Sequence, residues 1–207
     1  MSALRARGAE ISREKILDAA ETLFIEKGFN ATSLRQVAEV AEVAKSLIFH
    51  HFKTKAELWE QVKMRRLADF AERQQQAFSQ PAVSMNHFTD AIREYFLLLK
   101  GDPRLVRLLI RNKLESEPEG QSFDVALATD FIQRLERAQA AGLLRADIAP
   151  QFVMCLILAA TNHWFEARHK FCEWPGIDGD GSCDEEYLDT FIDILLNGTQ
   201  PRQESAS

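Results

Sequence analysis

A cluster of hydrogen-bonding and basic side chains lies in the first quarter of the chain. Lys45, Ser46 and His50 can exchange hydrogen bonds, and Leu47 and Phe49 offer apolar surface. An ammonium group can donate to guanine O6 and N7 or to a phosphate, a serine hydroxyl can meet most base edges, and leucine can contact the thymine methyl group. These residue types therefore favour the recognition of base edges in duplex DNA through hydrogen bonds and apolar contacts.

Phosphate contacts are expected on both sides of this cluster. Ser33 and Arg35 begin an earlier helical segment, where a backbone N–H and a guanidinium can hold a phosphate. Lys55 stands in the first turn of the following helix and is expected to bind a phosphate there. Residues 1–66 carry a net charge of +3 within a chain of net charge −6, so the body is acidic. The predicted DNA contacts are Ser33, Arg35, Lys45, Ser46, Leu47, Phe49, His50 and Lys55.

Two short amphipathic helices must position these side chains. Ser33 and Gln36 have the spacing of a capping box at the start of one helix. The next helix is predicted from about Ala44 to Phe52, where Ile48 and Phe52 are four residues apart and can anchor it to the core. A break of only a few residues separates the two helices, which is typical of a helix-turn-helix.

The rest of the chain also reads as helical. Strict apolar/polar alternation over the length of a strand is hard to find. The first helix is predicted to begin near Ser12 and to end at Gly28. The pattern predicts an all-α fold of about nine helices, with a three-helix DNA-binding domain over residues 1–56 and a second helical domain over residues 57–207.

Three runs carry a resemblance to a known family. The run Ile16–Phe29 reads Ile-Leu-Asp-Ala-Ala-Glu-Thr-Leu-Phe-Ile-Glu-Lys-Gly-Phe, and the runs Val43–Phe52 and Thr54–Leu58 follow it. These runs resemble the N-terminal domain of TetR-type (TetR/AcrR) transcriptional repressors. Four positions depart from the family pattern: Glu42 replaces a turn glycine, Ala44 an N-cap serine, Ser46 a helix glycine and Phe49 a phosphate-binding tyrosine.

The resemblance implies that the C-terminal helices, residues 57–207, form a ligand-binding and dimerisation domain. Binding of a small effector there would change the distance between the two helix-turn-helix domains of a dimer. No local motif marks the ligand, but aromatic residues and polar residues within apolar stripes are candidates for lining a cavity. For any single aromatic residue, ordinary core packing is the alternative. The predicted pocket residues are Phe70, Phe88, Tyr95, Phe96, Leu99, Leu108, Arg111, Phe131, Asn162, His163 and Phe165.

The last two long helices are expected to form a homodimer. Each carries an apolar stripe, and two such helices from each subunit can pair as a four-helix bundle about a two-fold axis. The predicted interface residues are Phe152, Leu156, Ala160, Ala167, Leu188, Phe191, Ile192 and Leu195.

The sequence therefore predicts a cytoplasmic, ligand-responsive transcriptional regulator with no membrane segment. We expect a repressor that an apolar or aromatic molecule releases from a pseudo-palindromic double-stranded DNA operator. Control by a partner protein instead of a small molecule is the alternative. No triad order, phosphate loop or usual metal-ligand spacing indicates an enzyme, a cofactor or a metal site. Three cysteines are odd in number and predict reduced thiols.

Overall fold

The structure, a computed structural model, describes residues 2–78, 84–114, 123–177 and 183–199. Within these ranges the regular elements are nine α-helices, so the predicted all-α fold class is confirmed. No helix in this part of the chain combines the length and hydropathy needed to cross a bilayer. The helices are α1 (Ser2–Lys27), α2 (Leu34–Val40), α3 (Lys45–His51), α4 (Lys55–Phe78), α5 (Met85–Gly101), α6 (Pro103–Leu114), α7 (Phe123–Ala140), α8 (Pro150–Phe171) and α9 (Cys183–Thr199).

The chain folds into two compact units. The first unit consists of Met1–Ala68 together with Arg104–Phe123, and the second consists of Asp69–Pro103 together with Asp124–Ser207. Helix α4 begins in the first unit and ends in the second, and α6 brings the chain back into the first. The boundary predicted after residue 56 lies in the first turn of α4.

The predicted start of the first helix was wrong, because α1 already begins at Ser2. Ser12 does not cap a helix end: its hydroxyl donates to the carbonyl of Ala9 at 2.8 Å inside the helix. At the other end, Gly28 adopts a φ of +86°, as expected for a glycine that terminates a helix. The Thr32 hydroxyl then donates to the Gly28 carbonyl at 2.7 Å and fixes the chain leading into α2.

The core of the first unit holds the three N-terminal helices together with α4 and α6. Phe24 meets Trp59 edge-on, with ring centroids 4.8 Å apart. Aromatic pairs in this arrangement contribute about 0.5–1.5 kcal/mol beyond the area that they bury. The other buried members are apolar, and they include Ile16, Leu17, Leu23, Val37, Ile48, Phe52, Leu58, Val62 and Leu108.

A buried carboxylate joins α1 to α4 and α6. Glu21 is 2% exposed and forms ion pairs with Arg65 at 2.8 Å and Arg104 at 2.9 Å. Arg66 completes the group, with its Nε 2.9 Å from Glu21 Oε2. Burial alone would raise the pKa of Glu21, but hydrogen bonds from Arg66, Arg65 and Arg104 lower it to about 2. The carboxylate therefore stays ionised and holds three arginines from two other helices.

The second unit has its own apolar core. Trp164 on α8 stacks on Tyr187 of α9, with ring centroids 4.1 Å apart. The Tyr187 hydroxyl donates to the Ala160 carbonyl at 2.9 Å, which fixes α9 against α8. Helices α5 and α7 complete the core with Phe88, Ile92, Phe96, Leu135 and Ala138.

Replacing Glu21 by glutamine should lower the free energy of unfolding by about 3 kcal/mol, because three arginines lose a buried counter-ion. The wild-type contribution should be complete above pH 4.5 and should disappear as the pH falls towards about 2, since the folded state binds this proton less tightly than the unfolded state. Urea titrations at several pH values measure both effects. Glu14→Gln is the control, because Glu14 pairs with Arg65 from a half-exposed site; equal losses in the two variants would contradict this assignment.

Candidate nucleic-acid interface

A capping box forms the start of α2, as predicted. The Gln36 N–H donates to Ser33 Oγ at 3.2 Å, and the Ser33 N–H donates to Gln36 Oε1 at 2.9 Å. The hydroxyl oxygen and the backbone N–H of Ser33 are thus both hydrogen-bonded within the chain. Arg35 projects into solvent with 82% of its side chain exposed and pairs with Glu39 at 2.9 Å. Of the two predicted phosphate contacts on α2, Arg35 has the more accessible side chain.

The turn between α2 and α3 has neither a glycine at its left-handed position nor a side-chain cap at the start of α3. Glu42 has a φ of +55°. For a residue with a Cβ this backbone costs roughly 1–2 kcal/mol. Ala44 occupies the N-cap of α3 and makes no side-chain hydrogen bond there. The missing cap costs on the order of 1 kcal/mol. Two backbone hydrogen bonds, from Ala41 to Val37 at 2.9 Å and from Val43 to Ala38 at 3.0 Å, close the turn.

Packing sets the position of α3. Ile48 is fully buried and Phe52 is 1% exposed, both within the core of the first unit. Burying side chains of this size contributes about 1.5–3 kcal/mol each, so the two anchors outweigh the weak cap and the strained turn. The predicted pair of anchors four residues apart is present.

The opposite face of α3 brings together most of the predicted base-reading side chains. Lys45, Ser46, Phe49 and His50 are exposed, and Leu47 is half-buried. Phe49 is 51% exposed, with the Lys45 ammonium 5.8 Å from its ring centroid. A lysine, a hydroxyl, an imidazole and apolar carbon therefore lie side by side on one helix surface of the size that a DNA major groove accepts.

Lys55 has an internal role that the sequence did not reveal. Its ammonium donates to the carbonyl of Phe29 at 2.8 Å and to that of Thr32 at 3.0 Å. It also lies 4.1 Å from the centroid of the Phe29 ring, close enough for a cation–π interaction. Lys55 thus ties the start of α4 to the segment between α1 and α2, and any phosphate contact would add to these bonds.

His51 and Arg13 stabilise the back of α3, and sequence reasoning missed both. His51 Nε2 lies 2.8 Å from Ser12 Oγ, and Arg13 lies 5.6 Å from the Phe52 ring centroid while donating to Gln61 at 2.8 Å. Burial lowers the pKa of His51, and the neighbouring charges of His50 and Arg13 lower it further. A ring nitrogen facing a serine thirty-nine residues away along the chain has no local sequence signal.

The predicted pocket residues divide between the two units. Leu108 is fully buried in the core of the first unit, and Arg111 donates to the carbonyls of Ile25 and Glu26 there. We therefore leave both out of the proposed pocket. His163 is also left out, because 67% of its side chain is exposed. The other eight lie buried or half-buried in the second unit: Phe70, Phe88, Tyr95, Phe96, Leu99, Phe131, Asn162 and Phe165.

A line of polar contacts crosses α4, α5 and α8 in the second unit. The Tyr95 hydroxyl donates to Asn162 Oδ1 at 2.8 Å, and the Phe70 ring lies 5.5 Å from that of Tyr95. One turn beyond Phe70, Gln74 donates to Glu94 Oε2 at 2.6 Å. Tyr95 and Asn162 were predicted as pocket residues, and their contact brings them together.

Three buried side-chain oxygens in this unit have no hydrogen-bond partner within the described residues, and one of them, Asp184 Oδ2, has the Lys100 ammonium 3.3 Å away. Sequence reasoning missed the other two. They are Oε1 of Gln74, which is 5% exposed, and Oγ1 of Thr161, which is fully buried. An unsatisfied buried polar atom costs about 1–3 kcal/mol. The sequence signal for such a group is a polar residue on the inward face of a helix. The sequence does not show which of these polar groups lack a hydrogen-bond partner.

The predicted dimer residues also divide, by exposure. Leu188, Ile192 and Leu195 are 4–6% exposed and pack inside the second unit, so we leave them out of the proposed interface. Phe152 and Leu156 are 68% and 58% exposed on α8. The remaining predicted interface residues, Ala160, Ala167 and Phe191, are half-buried.

Among the described residues, no group of three or more histidine, cysteine or acidic side chains is placed to hold a metal ion. The acidic sequence from Asp178 to Asp184 lies largely outside the described residues.

Two family models match the chain. Residues 16–71, which include all eight predicted DNA contacts, match the model described as bacterial regulatory proteins, tetR family. Residues 85–177 match the model described as tetracyclin repressor-like, C-terminal domain.

Two curated relatives and two solved structures of one protein agree with these matches. The transcriptional regulator RutR of Escherichia coli is 24% identical over 205 residues, covering 96% of this chain and 95% of RutR. The activator FasR of Mycolicibacterium smegmatis is 26% identical over 52% of this chain, which spans about half of FasR, 49%. The structure of SmeT, repressor of the Stenotrophomonas maltophilia efflux pump SmeDEF, aligns with a TM-score of 0.66 at 21% identity over 94% of both chains. A SmeT–triclosan complex aligns with a TM-score of 0.67 at 21% identity over 92% of both chains.

Proposed function

The chain belongs to the tetR family of bacterial regulatory proteins, which are DNA-binding transcription regulators, and from this premise we propose a specific mode of action. The protein is a homodimeric, cytoplasmic repressor that binds a pseudo-palindromic operator. An aromatic small molecule that carries a hydrogen-bond donor releases it. The observation that carries the proposal is the exposed polar face of α3 above two buried anchors, Ile48 and Phe52.

The contacts of α3 follow from the chemistry of its outer face. Lys45 donates to guanine O6 and N7 or to a phosphate, Ser46 and His50 meet base edges or phosphates, and Leu47 contacts a thymine methyl group. Phe49 offers apolar contact only, since it lacks a hydroxyl. Arg35 supplies a charged contact to the backbone beside the groove. One helix-turn-helix domain binds DNA weakly, and two such domains in one dimer multiply the affinity.

The dimer uses the outward face of α8. Phe152 and Leu156 are exposed there, one turn of helix apart, and Ala160 continues the same face a further turn along. On α9, Ile194 is 66% exposed and replaces Leu188, Ile192 and Leu195 as the expected contact. Exposed apolar side chains on neighbouring helices are favoured at such interfaces because their burial contributes about 25 cal/mol per Å².

The effector site combines apolar walls with Gln74 Oε1 and Thr161 Oγ1, which have no hydrogen-bond partner in the described part of the chain. Phe70, Tyr95 and Phe165 supply aromatic surface, and Gln74 Oε1 can accept a hydrogen bond from a ligand. The Thr161 hydroxyl can donate or accept. These features favour an aromatic ligand with a hydroxyl group. SmeT, which shares the fold, has a solved structure as a complex with triclosan.

Replacing Lys45 by alanine should raise the dissociation constant for operator DNA by roughly fivefold to 150-fold, because a good base contact contributes about 1–3 kcal/mol. The measurement is fluorescence anisotropy with DNA from upstream of the protein's own gene, at two salt concentrations. Lys170→Ala is the control, since it removes the same charge from the last turn of α8. A wild-type protein without a sequence-specific, salt-sensitive complex would contradict the proposal, as would equal losses in both variants.

Replacing Thr161 by valine should weaken binding of a hydroxylated aromatic effector about fivefold, the cost of one lost hydrogen bond. Triclosan and smaller phenols are the probes, and both the rise in melting temperature and the release of operator DNA are measured. Thr190→Val, an exposed threonine on α9, should behave as wild type. If no probe binds, or if both variants respond alike, the proposed effector site is wrong.

A further inference from the structure

Two cysteine side chains meet where α8 ends and α9 begins. Cys172 is the C-cap of α8 and Cys183 is the first residue of α9. Their Sγ atoms lie 4.0 Å apart. A disulfide bond places the two sulfurs about 2.05 Å apart, so an approach of roughly 2 Å brings them to bonding distance.

The two thiols differ in exposure. Cys172 is half-buried, whereas Cys183 is 6% exposed and belongs to the apolar core of the second unit. Burial raises the pKa of the Cys183 thiol, and the hydrogen bond with Cys172 raises it further. A small polar oxidant therefore reaches Cys172 more easily, and Cys183 is placed to react second.

The third cysteine cannot take either role. Cys155 is exposed on α8, seventeen positions before the α8 C-cap, which corresponds to about 25 Å along a helix. Of the other two cysteines, only Cys183 is therefore within reach of Cys172.

We propose that Cys172 and Cys183 form a peroxide-sensitive dithiol that closes reversibly to a disulfide. The Cys172 thiolate attacks one oxygen of hydrogen peroxide, the O–O bond breaks, and the products are a sulfenic acid and hydroxide. The Cys183 sulfur then attacks the Cys172 sulfur, its proton joins the departing hydroxyl group, and water leaves as the S–S bond forms. Two thiols are oxidised and one peroxide is reduced to two waters. The proposal stands on the geometry of the thiols and does not depend on DNA binding.

The surroundings of Cys183 make this junction sensitive to such a bond. The next residue, Asp184, is fully buried and pairs with Arg168 of α8 at 3.0 Å and with Lys100 of α5 at 3.3 Å. It also accepts a hydrogen bond from Trp164 Nε1 at 2.9 Å. Drawing the two sulfurs together therefore displaces residues that join three helices of the second unit.

The test uses the full-length Cys155→Ser protein, which keeps only the two thiols in question. After treatment with hydrogen peroxide, neither sulfur should react with an alkylating reagent, and the intact mass should fall by the mass of two hydrogen atoms. Dithiothreitol should restore both thiols. In a Cys155→Ser, Cys183→Ser protein, Cys172 should instead accumulate as a sulfenic acid that dimedone traps.

Three results would overturn the proposal. The first two are thiols that still react fully with the alkylating reagent after peroxide treatment, and a gain of oxygen without the loss of two hydrogens. Loss of both hydrogens in a Cys155→Ser, Cys172→Ser protein would do the same, because that protein has one thiol. The half-buried Cys172 tolerates serine more easily than the buried Cys183, so this variant remains informative if the Cys183 variant does not fold.

Discussion

The buried carboxylate of Glu21 is the constraint on which the first unit depends. It sits on α1 and binds Arg65 and Arg66 of α4 and Arg104 of α6. A carboxylate at 2% exposure is tolerated only because it is fully paired, and removing it leaves three cations without their shared partner. The same helix supplies much of the core against which α3 packs. The exposed face of α3, which we propose contacts DNA, is therefore positioned by α1, and α1 is held by this cluster.

Helix α3 depends on that core more than on its own ends. The strained φ of Glu42 and the absent cap at Ala44 weaken the local geometry, whereas Ile48 and Phe52 hold the helix by burial. A reading helix of seven residues that relies on packing has a fixed outer face as long as its core is intact. The side chains that we propose to read bases are thus presented by tertiary structure. We therefore expect a change in the core of the first unit to alter DNA binding even when no proposed DNA contact is replaced.

The sequence predicted most of the elements, because helix signals are local. The capping box of Ser33 and Gln36 and the terminating Gly28 each depend on neighbours within a few residues. The start of α1 was missed because Ser12, a good cap by type, bonds inside a helix that continues through it. Long-range partners gave no such signal, which is why the internal role of Lys55 did not emerge from the sequence.

Periodicity identified apolar faces but not what covers them. Leu108 reads as a pocket residue and instead fills the core of the first unit, and Leu188, Ile192 and Leu195 face inward although they share a stripe with more exposed neighbours. Gln74 Oε1 and Thr161 Oγ1 have no hydrogen-bond partner within the described residues, and this has no local sequence signal because it depends on atoms distant along the chain.

The central claim is that two copies of the α3 surface, joined through the outward face of α8, read one operator. Sedimentation of the protein–DNA complex, combined with footprinting of the wild type and of Leu156→Glu, tests it most directly. We predict two protomers per operator and two protected half-sites about 34 Å apart or a multiple of that distance, with both features lost in the variant. Leu97→Glu, which alters an equally exposed leucine on α5, should leave them intact. A single protomer protecting a single segment would contradict the account.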